Sequence, residues 1–268
     1  MSNGNYKILK VQNGITNEAD DTAAIEEPLE ISIVNCAEKK VISITMRTPG
    51  NDEELAAGFL FTEGIIKDNC VKSFSKGMNT VTVHIEENAQ INLKSSDRNF
   101  YMTSSCGICG KSSIDSVRTN SKYKIEISKN VISKDTILKL PEILRKHQSI
   151  FDSTGGLHAS GLFDLNGNFI ALKEDVGRHN ALDKLAGYAL QNNLLALSNN
   201  ILLLSGRASF ELIQKALMIG IPVVCAVGAP SSLAIDLAKE NNITLIGFLR
   251  DNRFNIYSYP ERIKLNEE

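Results

Sequence analysis

From Glu27 to Asn35 apolar and polar residues alternate, and the alternation returns from Val41 to Thr48. A period of two predicts two half-buried strands, the first opening at Pro28, with residues 35–40 as their hairpin connection. Residues 1–22 hold neither period and predict a loose tail. Thr48-Pro49-Gly50 predicts a turn. Asn51, with Glu54 three residues on, predicts a capping box opening a helix whose apolar stripe is Leu55, Phe59 and Leu60 and whose end is Gly64. Residues 78–86 and 90–94 predict another hairpin, and 123–128 a further strand.

The pattern changes near Ser133. Ser133 predicts the cap of a helix reaching His147, with Pro141 starting a new turn inside it. Thr154 to Gly161 is glycine-rich around His158 and predicts a loop unable to cover itself from solvent or ligand. Residues 162–164 and 169–173 flank Asn166-Gly167, the sharpest hairpin signal in the chain. The polar run Glu174 to Asn180 leads into a helix whose inner face is Ala181, Leu182, Leu185, Ala186 and Ala189. Beyond it, the continuously apolar runs 201–204, 222–227 and 244–249 alternate with helical patterns at 209–219 and 231–241. Fully apolar strands between helices predict an α/β architecture, a parallel sheet covered on both faces. Residues 256–259 predict an edge strand. The chain thus divides into a tail (1–22), an N-terminal β-rich α+β part (23–132) with a cysteine loop at 96–121, and a C-terminal α/β part (133–268).

Composition narrows the function classes. The 268 residues are 43% hydrophobic and 22% charged, with a net charge of −2 and no Trp. Near-neutral charge argues against nucleic-acid binding by phosphate neutralisation, and few aromatics argue against stacking on single strands. No apolar run approaches the roughly 20 residues needed to cross a bilayer, and Met1 to Asp21 lacks an apolar signal core. Five cysteines, an odd and sparse set, fit a reducing compartment, so the expectation is a cytoplasmic protein without a membrane anchor.

Thr103 to Lys111 reads Thr-Ser-Ser-Cys-Gly-Ile-Cys-Gly-Lys and continues neither period, so it predicts a loop. Between residues 96 and 124 five basic residues face two acidic ones, which favours thiolates at Cys106 and Cys109. Gly107 and Gly110 free backbone N–H groups beside each sulfur. Spacing alone leaves four readings open: a sulfur-handling nucleophile, half of a zinc site, a dithiol redox pair, or an incidental pair. A zinc site lacks its second half, because Cys36, Cys70 and Cys225 stand apart. No structural metal is expected. His147 reads as a helix-end charge and His84 as a strand-face residue. Glu174, Asp175, Arg178, His179 and Asn180 read either as a capped helix with a surface salt bridge or as an anion site at a helix N-terminus. In parallel sheets ligands bind at the carboxyl ends of strands. Three loops emerge there: Ser205 to Ser209, Gly228 to Ser232, and Arg250 to Arg253. Two open helices, and Arg207, Arg250 and Arg253 suit bidentate contact with diphosphate oxygens. No Walker lysine or G-x-G-x-x-G is present.

Together, Glu26-Glu27-Pro28-Leu29, the run Arg47 to Leu60, Cys-Gly-Ile-Cys-Gly, Thr154 to Ala159, Glu174 to Ala181 and Leu204-Ser205-Gly206-Arg207 resemble the FdhD family of formate dehydrogenase accessory sulfurtransferases, from about Glu26 to Ile263. The resemblance implies sulfur carried as a cysteine persulfide from a cysteine desulfurase to a molybdenum (or tungsten) bis-pterin guanine dinucleotide cofactor, for the formate dehydrogenase catalytic subunit. It implies a homodimer and a C-terminal half similar to cytidine deaminases. Ala159 and Ser160 follow His158 where a deaminase needs His-x-Glu, so deamination is not expected. The first cysteine, Cys106, would carry the persulfide and Cys109 would assist. Cofactor contacts are expected at Phe248, Leu249, Arg250, Asp251, Asn252 and Arg253, joined by Ser205, Gly206, Arg207, His158, Arg178 and His179. A non-catalytic cofactor chaperone and a dithiol redox protein are the alternative functions.

Overall fold

A computed structural model of the chain describes residues 2–36, 38–68, 70–92, 100–101, 121–127 and 132–265. The cysteine pair Cys106 and Cys109 lies outside the described residues, as does most of the predicted cysteine loop. Two sheets organise the rest. The N-terminal sheet has five strands in the order β5-β6-β3-β4-β7. They are β3 (Glu27–Asn35), β4 (Glu38–Arg47), β5 (Val71–Gly77), β6 (Thr80–Ile85) and β7 (Phe100–Tyr101). The C-terminal sheet has six in the order β10-β9-β11-β12-β13-β14. These are β9 (His158–Asp164), β10 (Phe169–Asp175), β11 (Asn200–Leu204), β12 (Val223–Ala226), β13 (Thr244–Arg250) and β14 (Arg253–Ser258). Strands β11, β12 and β13 run parallel, while β9, β10 and β14 are antiparallel additions, so the sheet is mixed rather than wholly parallel.

Helices α1 (Asp52–Thr62) and α4 (Arg178–Gln191) lie between the sheets, and α5 (Phe210–Met218) and α6 (Ser232–Glu240) join the same core. One core joins Leu29 and Val81 of the first sheet, Leu55 and Leu60 of α1, Leu182 and Leu185 of α4, and Leu202 and Val224 of the second sheet. A second core lies on the opposite face of the six-stranded sheet. There Ile137, Leu140 and Leu144 of α2 (Lys134–His147) cover Phe163, Leu203 and Cys225. The short α3 (Ser149–Thr154) follows, and β8 (Ile132–Ser133) pairs with β15 (Ile263–Lys264).

Several expectations change. Instead of a loose tail, β1 (Asn3–Gln12) and β2 (Ile15–Ala24) form a hairpin. Its turn is Asn13-Gly14, with φ 52° and 78°, the positive pair a two-residue hairpin turn requires. The second hairpin pairs β5 with β6, ahead of the predicted position, and 121–127 contain no strand. Asn51 sits at φ 58° and makes no side-chain cap bond, while the Glu54 carboxylate pairs with Lys173. The predicted capping box therefore does not form. Helix α1 has no stripe, because Leu55 to Thr62 are all buried. Its closest neighbour is α4. A Cβ on Gly58 would stand 1.8 Å from the Asp183 carbonyl, and one on Gly187 1.8 Å from the Glu54 carbonyl. Only residues without Cβ let two helix backbones approach this closely. The glycine-rich stretch 158–161 is likewise not a loop. His158 opens β9, and Ala159, Ser160 and Gly161 are buried strand positions.

Candidate functional site

The parallel strands β11, β12 and β13 deliver their carboxyl ends to one edge. The chain continues the pairing past the strands. Val227 N donates to Leu204 O (3.0 Å), Gly228 N to Gly206 O (2.9 Å) and Phe248 N to Gly228 O (3.1 Å). Ala208 N donates to Ala229 O (3.2 Å) and Ser231 N to Ala208 O (3.0 Å). The loops are thus zipped into one rigid rim. Gly228 makes this approach sterically open, since a Cβ there would lie 3.0 Å from the Gly206 carbonyl.

Arg207, Arg250 and Arg253 are exposed on this rim. Arg250 and Arg253 are direct partners across Asp251-Asn252, whose φ angles are 53° and 55°. The expected connection 250–253 is therefore the tip of the β13–β14 hairpin. Phe248 is half-buried at φ 54°, a conformation costly for a bulky residue, where the register of β13 on β14 shifts between Gly247 and Arg250. Leu249 belongs to the same expected contact set. It is buried in the second core and faces away from the rim. Ser205 N donates to Ala159 O, and Ser205 Oγ accepts from Ala159 N at 2.8 Å. Ser231 Oγ caps α6 by accepting from Ala234 N, whereas buried Ser209 Oγ at the start of α5 makes no hydrogen bond among the described residues.

His158 stands beside this rim, since a Cβ on Gly206 would come within 3.3 Å of its Nδ1. Burial, then the Arg178 charge, pushes its pKa down. His179 is pushed down to about 3, by burial first and then by Lys215 and Arg178. Both rings are neutral near pH 7. Two polar pairs face each other between α4 and α5. His179 Nε2 is 4.0 Å from Glu211 Oε2, too far for a hydrogen bond. One turn deeper Asp183 meets Lys215 at 2.9 Å. Lys215 Nζ also donates to Thr62 Oγ1 (2.9 Å) and Glu63 Oε1 (2.9 Å), which ties in α1. Burial pushes the Asp183 carboxyl up to about 6 against the charge of Lys215.

The polar run before α4 divides in two. Arg178 and His179 are near His158, while Asp175 and Asn180 point inward. Asp175 pairs with Lys184 at 2.7 Å, and both side chains are nearly inaccessible. Asp175 Oδ2 accepts from Thr48 N, and Asn180 Nδ2 donates to Met46 O. Lys184 Nζ donates to the Thr48 and Glu174 carbonyls. The surface salt bridge expected here is instead a buried lock between the two sheets. The Arg47 side of the corner is structural too: its guanidinium grips Asp52 at 2.9 Å through two nitrogens. The sequence reading singled out neither Lys184, Asp183, Lys215 nor Glu63, because Lys184 reaches Thr48 across 136 residues and Lys215 reaches Glu63 across 152 and Asp183 across 32.

Among the described residues no group of three or more His, Cys, Asp or Glu is placed to hold a metal ion. Nor is any helix among them long and apolar enough to cross a membrane.

The profile of the FdhD/NarQ family matches residues 24–264. The chain is 47% identical to a sulfur carrier protein FdhD of Streptomyces coelicolor, over 97% of this chain and 95% of that protein. It is 50% identical to one from Picrophilus torridus, over 91% and 92%. A crystal structure of a candidate formate dehydrogenase accessory protein from Desulfotalea psychrophila aligns with TM-score 0.74 at 26% identity, over 98% of this chain and all of that one. Relatives this similar along nearly their whole length, with the same fold, leave one assignment: the chain belongs to the FdhD/NarQ family.

Proposed function

We propose that this chain carries sulfur as a persulfide on Cys106, from a cysteine desulfurase to a molybdenum or tungsten bis-pterin guanine dinucleotide that serves formate dehydrogenase. The observation carrying this reading is the near full-length similarity to proteins named sulfur carriers, in a chain whose Cys-Gly-Ile-Cys-Gly run supplies two thiols among basic residues. The rim supports the second half of the reading. Three exposed guanidiniums and the start of α5 offer charge and N–H groups to phosphate. The cofactor is substrate here, and Phe248, Arg250, Asp251, Asn252, Arg253, Ser205, Gly206, Arg207, His158, Arg178 and His179 are its proposed surroundings. The protein works as a homodimer in this reading, as the resemblance implies, and in the cytoplasm, which its odd and sparse set of five cysteines fits.

The chemistry balances. The Cys106 thiolate attacks the desulfurase persulfide at its outer sulfur, and the donor cysteine leaves as thiolate. For delivery, the Cys109 thiolate attacks Sγ of Cys106. The bond between Sγ and the outer sulfur breaks, a Cys106–Cys109 disulfide forms, and the outer sulfur leaves as sulfide with the electron pair. A cellular thiol reductant then resets the disulfide. Neutral His158 and His179 add no positive charge to this edge, so anion attraction rests on the arginines.

Intact mass measured after incubation with a desulfurase and cysteine tests the proposal. The chain should gain one sulfur atom, Cys106→Ala should gain none, and Cys109→Ala should still load. Equal loading of Cys106→Ala and the unaltered chain would sink the assignment. Loss of two hydrogens with no sulfur gained would favour a redox pair. Full formate dehydrogenase activity in cells carrying Cys106→Ala would favour a non-catalytic cofactor chaperone.

A further inference from the structure

Strands β1 and β2, ten residues each, form an arm in which no residue is fully buried. The arm stands ahead of the matched family profile, which begins at residue 24. Its base is fixed to the body of the molecule. Ile25 N donates to Ser2 O (2.9 Å), Ser2 Oγ to Pro49 O (3.2 Å) and Asn3 Nδ2 to Ser153 Oγ of α3 (3.4 Å). Side chains alternate between two faces along a strand, and directly paired residues share a face. Asn3, Lys7, Leu9 and Val11 therefore lie on the face whose base meets α3. Tyr6, Ile8 and Lys10, paired with Asp21, Ala19 and Asn17, lie on the other face, with Ile15 near the tip. This outer face is open to solvent: Tyr6 is 55% and Ile15 63% exposed. A two-stranded ribbon is marginally stable in water, and stability needs further strands sharing an apolar face. An arm held at its base with this face uncovered calls for strands to pack on it.

The charges say which strands fit. On the inner face Lys7 already meets Asp20 at 3.4 Å. On the outer face Asp21 lies one pair toward the base from Ile8–Ala19, and Lys10 one pair toward the tip. That separates the two charges by roughly 13 Å along the ribbon, too far to meet within one arm. A second arm laid on this face and running the opposite way, about a two-fold axis through Ile8–Ala19, brings them together. Each Lys10 then lies over the partner's Tyr6 and beside the partner's Asp21, and Ile15 meets the partner's Ala23. The surface is thus complementary to itself, as a two-fold interface requires. Joining the arms edge to edge is disfavoured. The charges of β1 are both lysines and those of β2 are all acids, so each edge would meet its own sign. We infer that the outer face of the β1–β2 arm is an interface with the arm of a second copy of this chain, the two arms forming a four-stranded sandwich. This rests on the homodimer of the reading above and adds the surface that forms it.

Sedimentation equilibrium of the full chain tests this. A residue on the two-fold axis meets its own copy. Ile8→Lys should therefore weaken self-association roughly tenfold or more, and so should Ile8→Glu, by setting like charges against each other. Mixing the two variants in equal amounts should recover most of the loss, because lysine then faces glutamate. Misfolding would not be rescued in this way. Leu9→Lys, on the inner face, should leave association unchanged. Carbodiimide coupling of isotope-labelled with unlabelled chains should give Lys10–Asp21 links between labelled and unlabelled copies. A mixture that associates no more tightly than either variant alone would overturn the inference. A dimer that Ile8→Lys leaves unchanged would also overturn it, and the homodimer would stand on another surface. An unaltered chain that stays monomeric would overturn both, while sulfur loading of Cys106, read by mass, stands or falls separately.

Discussion

His179 shows how one side chain links stability to pH. Its folded pKa, about 3, lies below the ordinary histidine value, so the unfolded chain takes up a proton that the folded chain refuses. The stabilisation is complete above about pH 6.5 and is lost as pH falls from there toward 3. Asp183, pushed up to about 6, acts in the opposite sense over much of that range. The unaltered protein alone therefore does not isolate the histidine. The difference between it and His179→Gln does: urea unfolding should show that difference falling by up to about 1.4 kcal/mol for each pH unit below 6.5. A difference independent of pH would mean that His179 is free to charge in the folded state. At the rim, Arg207→Ala and Arg250→Ala should each weaken GDP binding by roughly 1.5–3 kcal/mol in calorimetry, the loss of a charged hydrogen bond. Unchanged affinity in both would move the phosphate site.

Between elements, the contact of α1 with α4 is set by two absent side chains. Gly58 and Gly187 each face a carbonyl of the other helix. Helix backbones cannot yield at 1.8 Å, so a methyl group must push the helices apart and loosen the core on both sides. Gly187→Ala should lower the free energy of unfolding by about 3 kcal/mol, read from urea denaturation. Loss of a few tenths only would show that the helices separate freely. The α4–α5 contact relies instead on charge. Lys215 is held by Asp183 of α4, by Thr62 at the end of α1 and by Glu63 just beyond it. Its removal leaves Asp183 buried beside Glu63 without a cation.

At the scale of the whole molecule, Asp175 and Lys184 join the two sheets. The pair is buried, and its remaining hydrogen bonds reach across to Thr48 in the N-terminal part. Lys184→Met should cost about 3–5 kcal/mol, because it strands a buried carboxylate. Asp175→Asn combined with Lys184→Met should recover part of that loss, since no charge is then left alone. Chemical denaturation of both variants measures this, and a double variant no better than the single would show that the Thr48 contacts dominate. Arg178 and His179 open α4, three and four residues after Asp175.

Local pattern by itself determined the strands over Glu27–Asn35 and Thr244–Arg250, the Ser133 cap and the Asn166-Gly167 turn, because each depends on residues within a few positions. The strand-end loops with Arg207, Arg250 and Arg253 were legible for the same reason, as apolar runs ending in turn residues. Asn13-Gly14 carried an equally local signal, and its hairpin was missed because the polar strands around it bury little. Tertiary structure alone decided the rest. Thr62 meets Asp183 across 121 residues and Lys215 across 153. Leu249 turned into the core although its neighbours face the rim, as strand alternation within a bulged segment requires. Periodicity reports which face of an element is buried, but the group that a buried polar atom meets depends on the path of the whole chain.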